Sequence, residues 1–149
     1  MSEGFRHIVR ICGIDIDGSK KLPYGLMRIR GVGINFAKAV SRALGLDADR
    51  RIGSLTDAEV KEIESAIANP AKYGIPPYLF DRRKDLDTGA DLHLIDPDLS
   101  LRQKMDIEFM KAIGCWKGIR HSLGLKVRGQ RTRTTGRLGK TVGVKRKAK

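Results

Sequence analysis

The C-terminal residues 127–149 are the feature that most constrains what this chain can fold into. They contain no Asp or Glu, and their large apolar residues are Val127, Leu138, Val142 and Val144. So few apolar side chains cannot offset the conformational entropy lost on ordering the segment. The sequence therefore predicts a basic tail that is disordered alone and takes a shape only on a partner.

The positive charge of the chain is concentrated in the same region. The formal net charge is +13, yet all 17 acidic residues lie in 1–114, beside 18 of the 30 Lys and Arg residues. Residues 115–149 hold the other 12 basic residues and no acid. Such a region needs a polyanionic partner, which is nucleic acid, an acidic membrane surface or an acidic protein.

Membrane, metal and catalytic functions are disfavoured. The N-terminal residues do not have the pattern of a secretory leader, and no run approaches the ~18 apolar residues of a membrane span, so we expect a cytoplasmic protein without a membrane partner. Cys12 and Cys115 are too far apart for a zinc framework, so we expect no metal site and interpret both as small buried apolar residues. No catalytic triad or paired carboxylates are visible, so we expect neither an enzyme nor a cofactor.

Apolar spacing predicts helices in the body of the chain. A stripe beginning at Ile34 predicts a helix over 36–44, with Asn35 as its cap and Gly45 as its stop. Thr56 and Glu59 form a capping box that opens a second helix, which closes at Asn69 and Pro70. The earlier segment FRHIVRICGIDIDGSKKL is strand-like, with a turn near Asp17-Gly18, and fits either a small ribbon or an irregular arm.

A helical hairpin is predicted over residues 100–124. Ser100 and Gln103 form a capping box, and the helix that follows carries one apolar face, made by Leu101, Met105, Phe109, Ala112 and Ile113. A short second helix, with Trp116, Ile119 and Leu123 on one side, is expected to pack back on the first and to end at Gly124. Residues 71–99 contain three prolines and a DTG turn, and are interpreted as a connecting region.

The tail composition suits RNA. Arg128, Arg131, Arg133 and Arg137 offer forked donors for phosphates and base edges, and four threonines add hydroxyl donors. If about half of the twelve cations neutralise phosphates, binding should have a log–log salt slope of roughly −4 to −5. The alternative is a tail that only solubilises the protein or binds polyanions without specificity.

Three shorter features have structural interpretations beside functional ones. RGVG, residues 30–33, precedes a helix and can present backbone amides to a phosphate, with Arg28, Arg30 and Lys38 flanking, or it is a plain tight turn. It lacks the Lys-Ser or Lys-Thr of a nucleotide-binding P-loop. DRRKD, residues 81–85, is interpreted as a solvated charged patch, and His93 and Trp116 as packing residues.

The segment KGIRHSLGLKVRGQRTRT, residues 117–134, resembles the signature of the small-subunit ribosomal protein thirteen family. The matching positions are Lys117, Gly118, Arg120, His121, Gly124, Arg128, Gly129 and Gln130. RIRGVG and its helix resemble the family's helix-two-turns-helix region, and TTGRLGKTVGVKRK is similar to the archaeal and eukaryotic branch.

The resemblance implies a non-catalytic component of the small-subunit head, located in cytoplasmic ribosomes. Implied partners are small-subunit rRNA, peptidyl-site tRNA, a neighbouring small-subunit head protein and large-subunit bridge components. With the tail composition it gives these candidate rRNA-binding residues: Arg28, Arg30, Gly31, Gly33, Lys38, Lys117, Arg120, His121, Arg128, Gln130, Arg131, Arg133, Arg137 and Lys140. Implied to lie near tRNA are Lys145, Arg146, Lys147 and Lys149.

The expected fold is mainly α: a small helical domain with a helix-two-turns-helix motif, a helical hairpin and a long disordered basic C-terminal tail. Its expected parts are an N-terminal helical RNA-binding region (1–70), the connecting region (71–99), the hairpin (100–124) and the extended tail (125–149). One rival interpretation is a DNA-binding protein built on the same helical motif. A second is a nucleotide hydrolase that uses RGVG.

Overall fold

The N-terminal segment forms a two-stranded antiparallel ribbon. In the computed structural model, which describes residues 5–135, β1 (Ile8–Ile11) pairs with β2 (Ile14–Asp17), and Ile11 lies opposite Ile14. Cys12 and Gly13 connect the strands with φ values of 50° and 79°. Positive φ at both central residues is typical of a type I′ hairpin turn, which sequence analysis missed. The expected turn near Asp17 follows β2 and does not connect the strands.

The next elements confirm the predicted helix-two-turns-helix motif. Helix α1 spans Leu22–Leu26 and α2 spans Ile34–Ala43. Between them the amides of Ile29 and Val32 donate to the carbonyl oxygens of Leu26 and Ile29 at 3.0 and 3.1 Å, which closes two successive turns. Together these elements bring the RGVG segment to the start of α2.

Helix α2 begins two residues before its predicted start. Its N-cap is Gly33, not the predicted Asn35, because the extended backbone of Gly33 (φ −90°, ψ 170°) leads directly into the first helical turn. At the other end Gly45, with φ 65°, follows the C-cap Leu44, which confirms the predicted stop. The side chains of Phe36 and Val40 face the core.

Helix α3 (Asp57–Ala68) begins at the predicted capping box. The Glu59 amide donates to Thr56 Oγ1 at 3.3 Å, and the Thr56 amide donates to Glu59 Oε2 at 2.7 Å. Arg50 Nη1 lies 2.5 Å from Glu59 Oε1. The box therefore satisfies helix donors and positions an ion pair at once.

Residues 70–95 pack against the core in two short 3₁₀ turns, Pro70–Tyr73 and Pro77–Leu79, and a loop. Ile75 and Phe80 are buried. The interpretation of DRRKD as a solvated patch is wrong for Asp85, which is 3% exposed and accepts hydrogen bonds from Arg82 Nε and Thr88 Oγ1. A buried carboxylate held by these donors closes the loop instead of facing water.

His93, in the same loop, packs in the interior, as predicted. Its side chain is 1% exposed, and its ring stacks on that of Phe36 with centroids 3.8 Å apart. Burial lowers the pKa of His93, so the imidazole is neutral near pH 7.

The core described so far belongs to one compact unit, Met1–Leu101. Its side chains come from the ribbon, α1, α2, α3 and the loop after α3, so residues distant in sequence share one cluster. The buried apolar residues are Val9, Ile11, Ile16, Leu22, Leu26, Ile29, Val32, Phe36, Ala37, Val40, Ile52, Leu55, Val60, Ile63, Ala66, Ile67, Ile75 and Phe80.

The second unit, Arg102–Lys149, contains most of α4 (Asp96–Ala112) and all of α5 (Trp116–Ser122). The predicted Ser100 cap is wrong, because α4 starts four residues earlier. Amide hydrogens in the first turn of a helix have no partner within the helix, so Pro97, which has no amide hydrogen, is well placed there. Asp96 and Asp98 stabilise the positive end of the helix.

The pair α4 and α5 confirms the predicted helices of the hairpin but not their packing. Gly118 is buried, and a Cβ added there would collide with the carbonyl oxygen of Met110, so α5 approaches α4 through a glycine. The side chains predicted to pack are instead exposed: Leu101, Met105, Phe109, Ile113, Trp116, Ile119 and Leu123. The predicted helical spacing of these residues was correct, whereas the predicted burial of the face that they form was wrong.

The first part of the predicted tail, residues 125–135, has neither helix nor strand, and its residues other than Val127 are exposed. The remainder of the predicted disordered tail, 136–149, lies outside the described residues.

Candidate nucleic-acid interface

Helix α5 presents a basic surface beside an exposed aromatic ring. Lys117 is exposed, Arg120 and His121 are half-buried, and Trp116 is 70% exposed. The guanidinium carbon of Arg120 lies 5.6 Å from the Trp116 ring centroid, and its Nε donates to the carbonyl oxygen of Lys126. Arg120 is thereby held in place next to the indole, and the interpretation of Trp116 as a packing residue is wrong.

Cys115 organises the start of this helix. Its Sγ accepts a hydrogen bond from the Gly118 amide at 3.4 Å and donates to the Met110 carbonyl oxygen at 3.3 Å. The thiol is half-buried and caps α5, so its interpretation as a buried apolar residue is wrong.

Cys12 is also half-buried, and lies at the ribbon turn. Burial, with a smaller effect of the neighbouring Glu64, raises the pKa of its thiol to about 11. In the part of the chain that the structure describes, no group of three or more His, Cys, Asp or Glu residues could hold a metal ion.

The segment after α5 exposes three of the candidate arginines. Arg128, Arg131 and Arg133 are exposed, and Gly129 has a φ of 70°. The Arg128 amide donates to Gln130 Oε1 at 3.0 Å, so Gln130 stabilises a local turn. This turn presents charged side chains to solvent on an acid-free stretch of chain.

The two glycines of RGVG differ in their surroundings. Gly31 has a φ of 99°, and a Cβ added there would collide with the carbonyl oxygen of Leu94. The neighbouring carbonyl oxygen of Arg30 accepts a hydrogen bond from the Asp96 amide at 3.0 Å. Gly31 therefore permits close approach of the 94–96 segment, whereas Gly33 is exposed at the N-terminus of α2 with open space around its Cα.

A cleft of about 620 Å³ lies between α2 and the turns that follow α3. Lys38 and Arg42, one helical turn apart, line it together with Tyr73 and Tyr78, and none of the acidic residues that the structure describes lines it. The sequence pattern did not single out Arg42 or either tyrosine. The i, i+4 spacing of Lys38 and Arg42 was a usable signal, but the tyrosines reach this cleft only through the tertiary fold.

Arg28 lies in another cleft, of about 450 Å³, which it shares with Asp15 and Asp17. The pKa of Asp17 is lowered by hydrogen bonds from Ser19, of which the bond from the backbone amide has the larger effect and the bond from the side chain the smaller. The Asp17 carboxylate is therefore ionised at neutral pH. The structure thus places Arg28 and Lys38 in different clefts.

The candidate residues therefore form two groups, each within its own unit. Arg28, Arg30, Gly31, Gly33 and Lys38 belong to the first unit. Lys117, Arg120, His121, Arg128, Gln130, Arg131 and Arg133 belong to the second. Arg137, Lys140, Lys145, Arg146, Lys147 and Lys149 lie outside the described residues.

The sequence of the chain was compared with those of known proteins. A sequence model of a family described as ribosomal protein S13/S18 matches residues 10–138. The chain belongs to this ribosomal protein family. Among curated relatives, a small ribosomal subunit protein uS13 from Staphylothermus marinus is 58% identical over 98% of this chain and 97% of its own length. One from Hyperthermus butylicus is 57% identical over 95% and 94%, and one from Methanocaldococcus jannaschii is 49% identical over 97% of both.

Membership of the S13/S18 family decides between the interpretations of the sequence. It confirms the resemblance found in residues 117–134 and its archaeal character. The protein is a structural ribosomal protein and not an enzyme, which excludes the interpretation as a nucleotide hydrolase. Among the described residues, no helix is long and apolar enough to cross a membrane.

Proposed function

We propose that this protein is a structural constituent of the small ribosomal subunit head that binds small-subunit rRNA. The observation that carries the proposal is that α5 and the segment after it contain no acidic residue and carry Lys117, Arg120 and Arg128, of which Lys117 and Arg128 are exposed. Its relatives are named small ribosomal subunit proteins, which supports the assignment to that subunit in the cytoplasm.

The mechanism follows from the separation of a folded body and a basic extension. The first unit has a continuous apolar core and supplies the folded body. The basic region neutralises phosphates and braces neighbouring RNA segments, because arginine and lysine on an extended chain reach between strands that a folded domain cannot enter. Phosphate contacts of this kind position the protein without specifying a base sequence.

A second basic surface is proposed at the α2 cleft. Lys38 and Arg42 line it without a nearby carboxylate among its lining residues, and the Gly33 amide begins the same helix. Anions are favoured at a helix N-terminus, so one backbone phosphate would bind at Gly33, while Lys38 and Arg42, further along α2, would contact others.

Further partners are proposed from the family resemblance. We infer that the protein contributes to bridging with the large subunit, contacts a neighbouring head protein, and reaches peptidyl-site tRNA with Lys145, Arg146, Lys147 and Lys149. The DNA-binding alternative predicts equal or stronger binding to duplex DNA. Competition between head rRNA and duplex DNA at physiological salt distinguishes the two.

Deletion of residues 127–149 tests the mechanism. We expect sharply weaker binding to a small-subunit head rRNA fragment, because nine Lys and Arg residues are removed. The thermal unfolding of the body should be nearly unchanged, since the buried apolar cluster runs from Val9 to Phe80. Unchanged affinity after the deletion would show that the tail is not the principal RNA-binding element.

A further inference from the structure

Trp116 is the most exposed large aromatic side chain of the second unit. It lies at the first position of α5 and is 70% exposed, and it is the single tryptophan of the chain. Leaving so large an apolar surface in water forgoes the free energy of its burial. An exposed ring of this kind, beside further exposed apolar side chains, marks an interaction surface.

The charges around the ring indicate which partner it takes. Arg120 lies four residues further along α5 with its guanidinium 5.6 Å from the ring centroid, and Lys117 is the next residue in sequence. Residues 115–135 contain no carboxylate. A partner must therefore combine a flat apolar group with negative charge at short range, which is the chemistry of a nucleotide in an unpaired stretch of RNA.

We propose that Trp116 is a base-stacking platform for unpaired RNA, with Lys117 and Arg120 holding the adjoining phosphates. The proposal deepens the proposed function, on which it rests, by assigning contact with the face of a base to Trp116. The competing occupant is a protein that covers Trp116, Ile119 and Leu123 together. The cationic surroundings favour RNA over such a partner.

The single tryptophan makes the proposal directly measurable. The full-length protein is titrated with a short, unstructured, dye-labelled RNA while two signals are recorded. Dye anisotropy reports whether the RNA binds at all, and Trp116 emission reports whether a base lies against the indole. We expect binding to be accompanied by strong quenching of the tryptophan emission.

Two matched comparisons separate stacking from charge attraction. Heparin is a polyanion without bases, and we expect it to displace the RNA without producing the same quenching. Among variants, Trp116→Phe should retain most of the affinity, whereas Trp116→Leu, which keeps apolar bulk but no ring, should bind roughly tenfold more weakly. Leu123→Ala removes another exposed apolar side chain near α5 and should leave the affinity unchanged.

The outcomes distinguish this inference from the proposed function. RNA binding with an unchanged tryptophan signal, or equal affinity of the Phe and Leu variants, would overturn the stacking platform while rRNA binding stands. The tryptophan surface would then be assigned to a protein partner. A failure of the wild-type protein to bind RNA in the anisotropy signal would instead reject the proposed function itself.

Discussion

At the scale of single residues, the two glycines of the RGVG turn have different structural roles. The sequence pattern treats Gly31 and Gly33 alike, because both are glycines just before a helix. The structure separates them, since Gly31 has a positive φ and faces the backbone of Leu94, whereas Gly33 has an ordinary negative φ and open space. A glycine that permits close backbone approach can thus be mistaken for one that binds a ligand.

Substitution by alanine tests this difference. Gly31→Ala should lower the free energy of unfolding by about 1–3 kcal/mol, because a Cβ at positive φ is strained and collides with the Leu94 carbonyl oxygen. Gly33→Ala is the matched control and should change it by less than about 1 kcal/mol. Urea unfolding of both variants gives the comparison. Equal destabilisation would contradict the role assigned to Gly31.

At the scale of elements, local signals gave some helix ends correctly and missed others. The Thr56 and Glu59 capping box of α3 and the Gly45 stop of α2 were both predicted correctly. The start of α4 was wrong because Pro97 was counted among the three prolines of the connecting region, although proline is favourable in a first helical turn.

The capping box of α3 predicts a pH-dependent contribution to stability. Burial by itself would raise the pKa of Glu59, but hydrogen bonds from the Thr56 amide and Arg50 outweigh it and hold the pKa below its ordinary value. A lowered folded-state pKa stabilises the fold above the unfolded-state pKa, and this contribution is lost as the pH falls through the folded-state value.

Glu59→Gln should therefore destabilise the protein by about 0.5–1 kcal/mol at pH 7, since the amide keeps capping capacity but loses the ion pair with Arg50. The difference from wild type should shrink as the pH is lowered below 4. Urea unfolding at several pH values measures it. Glu62→Gln, an exposed position on the same helix, is the control, and a difference that does not vary with pH would contradict the prediction.

At the scale of the whole molecule, folding stability and charge are carried by different parts of the chain. The buried core ends at Phe80, whereas residues 115–149 carry 12 of the 30 basic residues and no acid. Cations that have no acidic neighbours in sequence do not contribute to folding through local ion pairs, and they remain available to a polyanion.

This separation predicts a steep salt dependence of RNA binding. If about half of the twelve cations contact phosphates, the log–log slope for the full chain should be roughly −4 to −5. Lys61→Gln, on the exposed side of α3, should leave it unchanged, whereas removal of 127–149 should flatten it. Anisotropy titrations at several salt concentrations give the slopes. A slope that survives the deletion would place the phosphate contacts elsewhere.

The sequence by itself determined the features that depend on neighbours along the chain or on composition. These are the helical class, the start of α3 at its capping box and the end of α2 at Gly45, and the segregation of positive charge into an acid-free terminus. Only the tertiary structure decided which apolar surfaces are covered. It set Phe36 as the ring partner of His93, left Trp116 exposed beside Arg120, and placed Arg28 in a cleft with Asp17. The physical reason is that burial depends on which side chains, distant in sequence, come to lie against one another, and periodicity reports only which residues share a face.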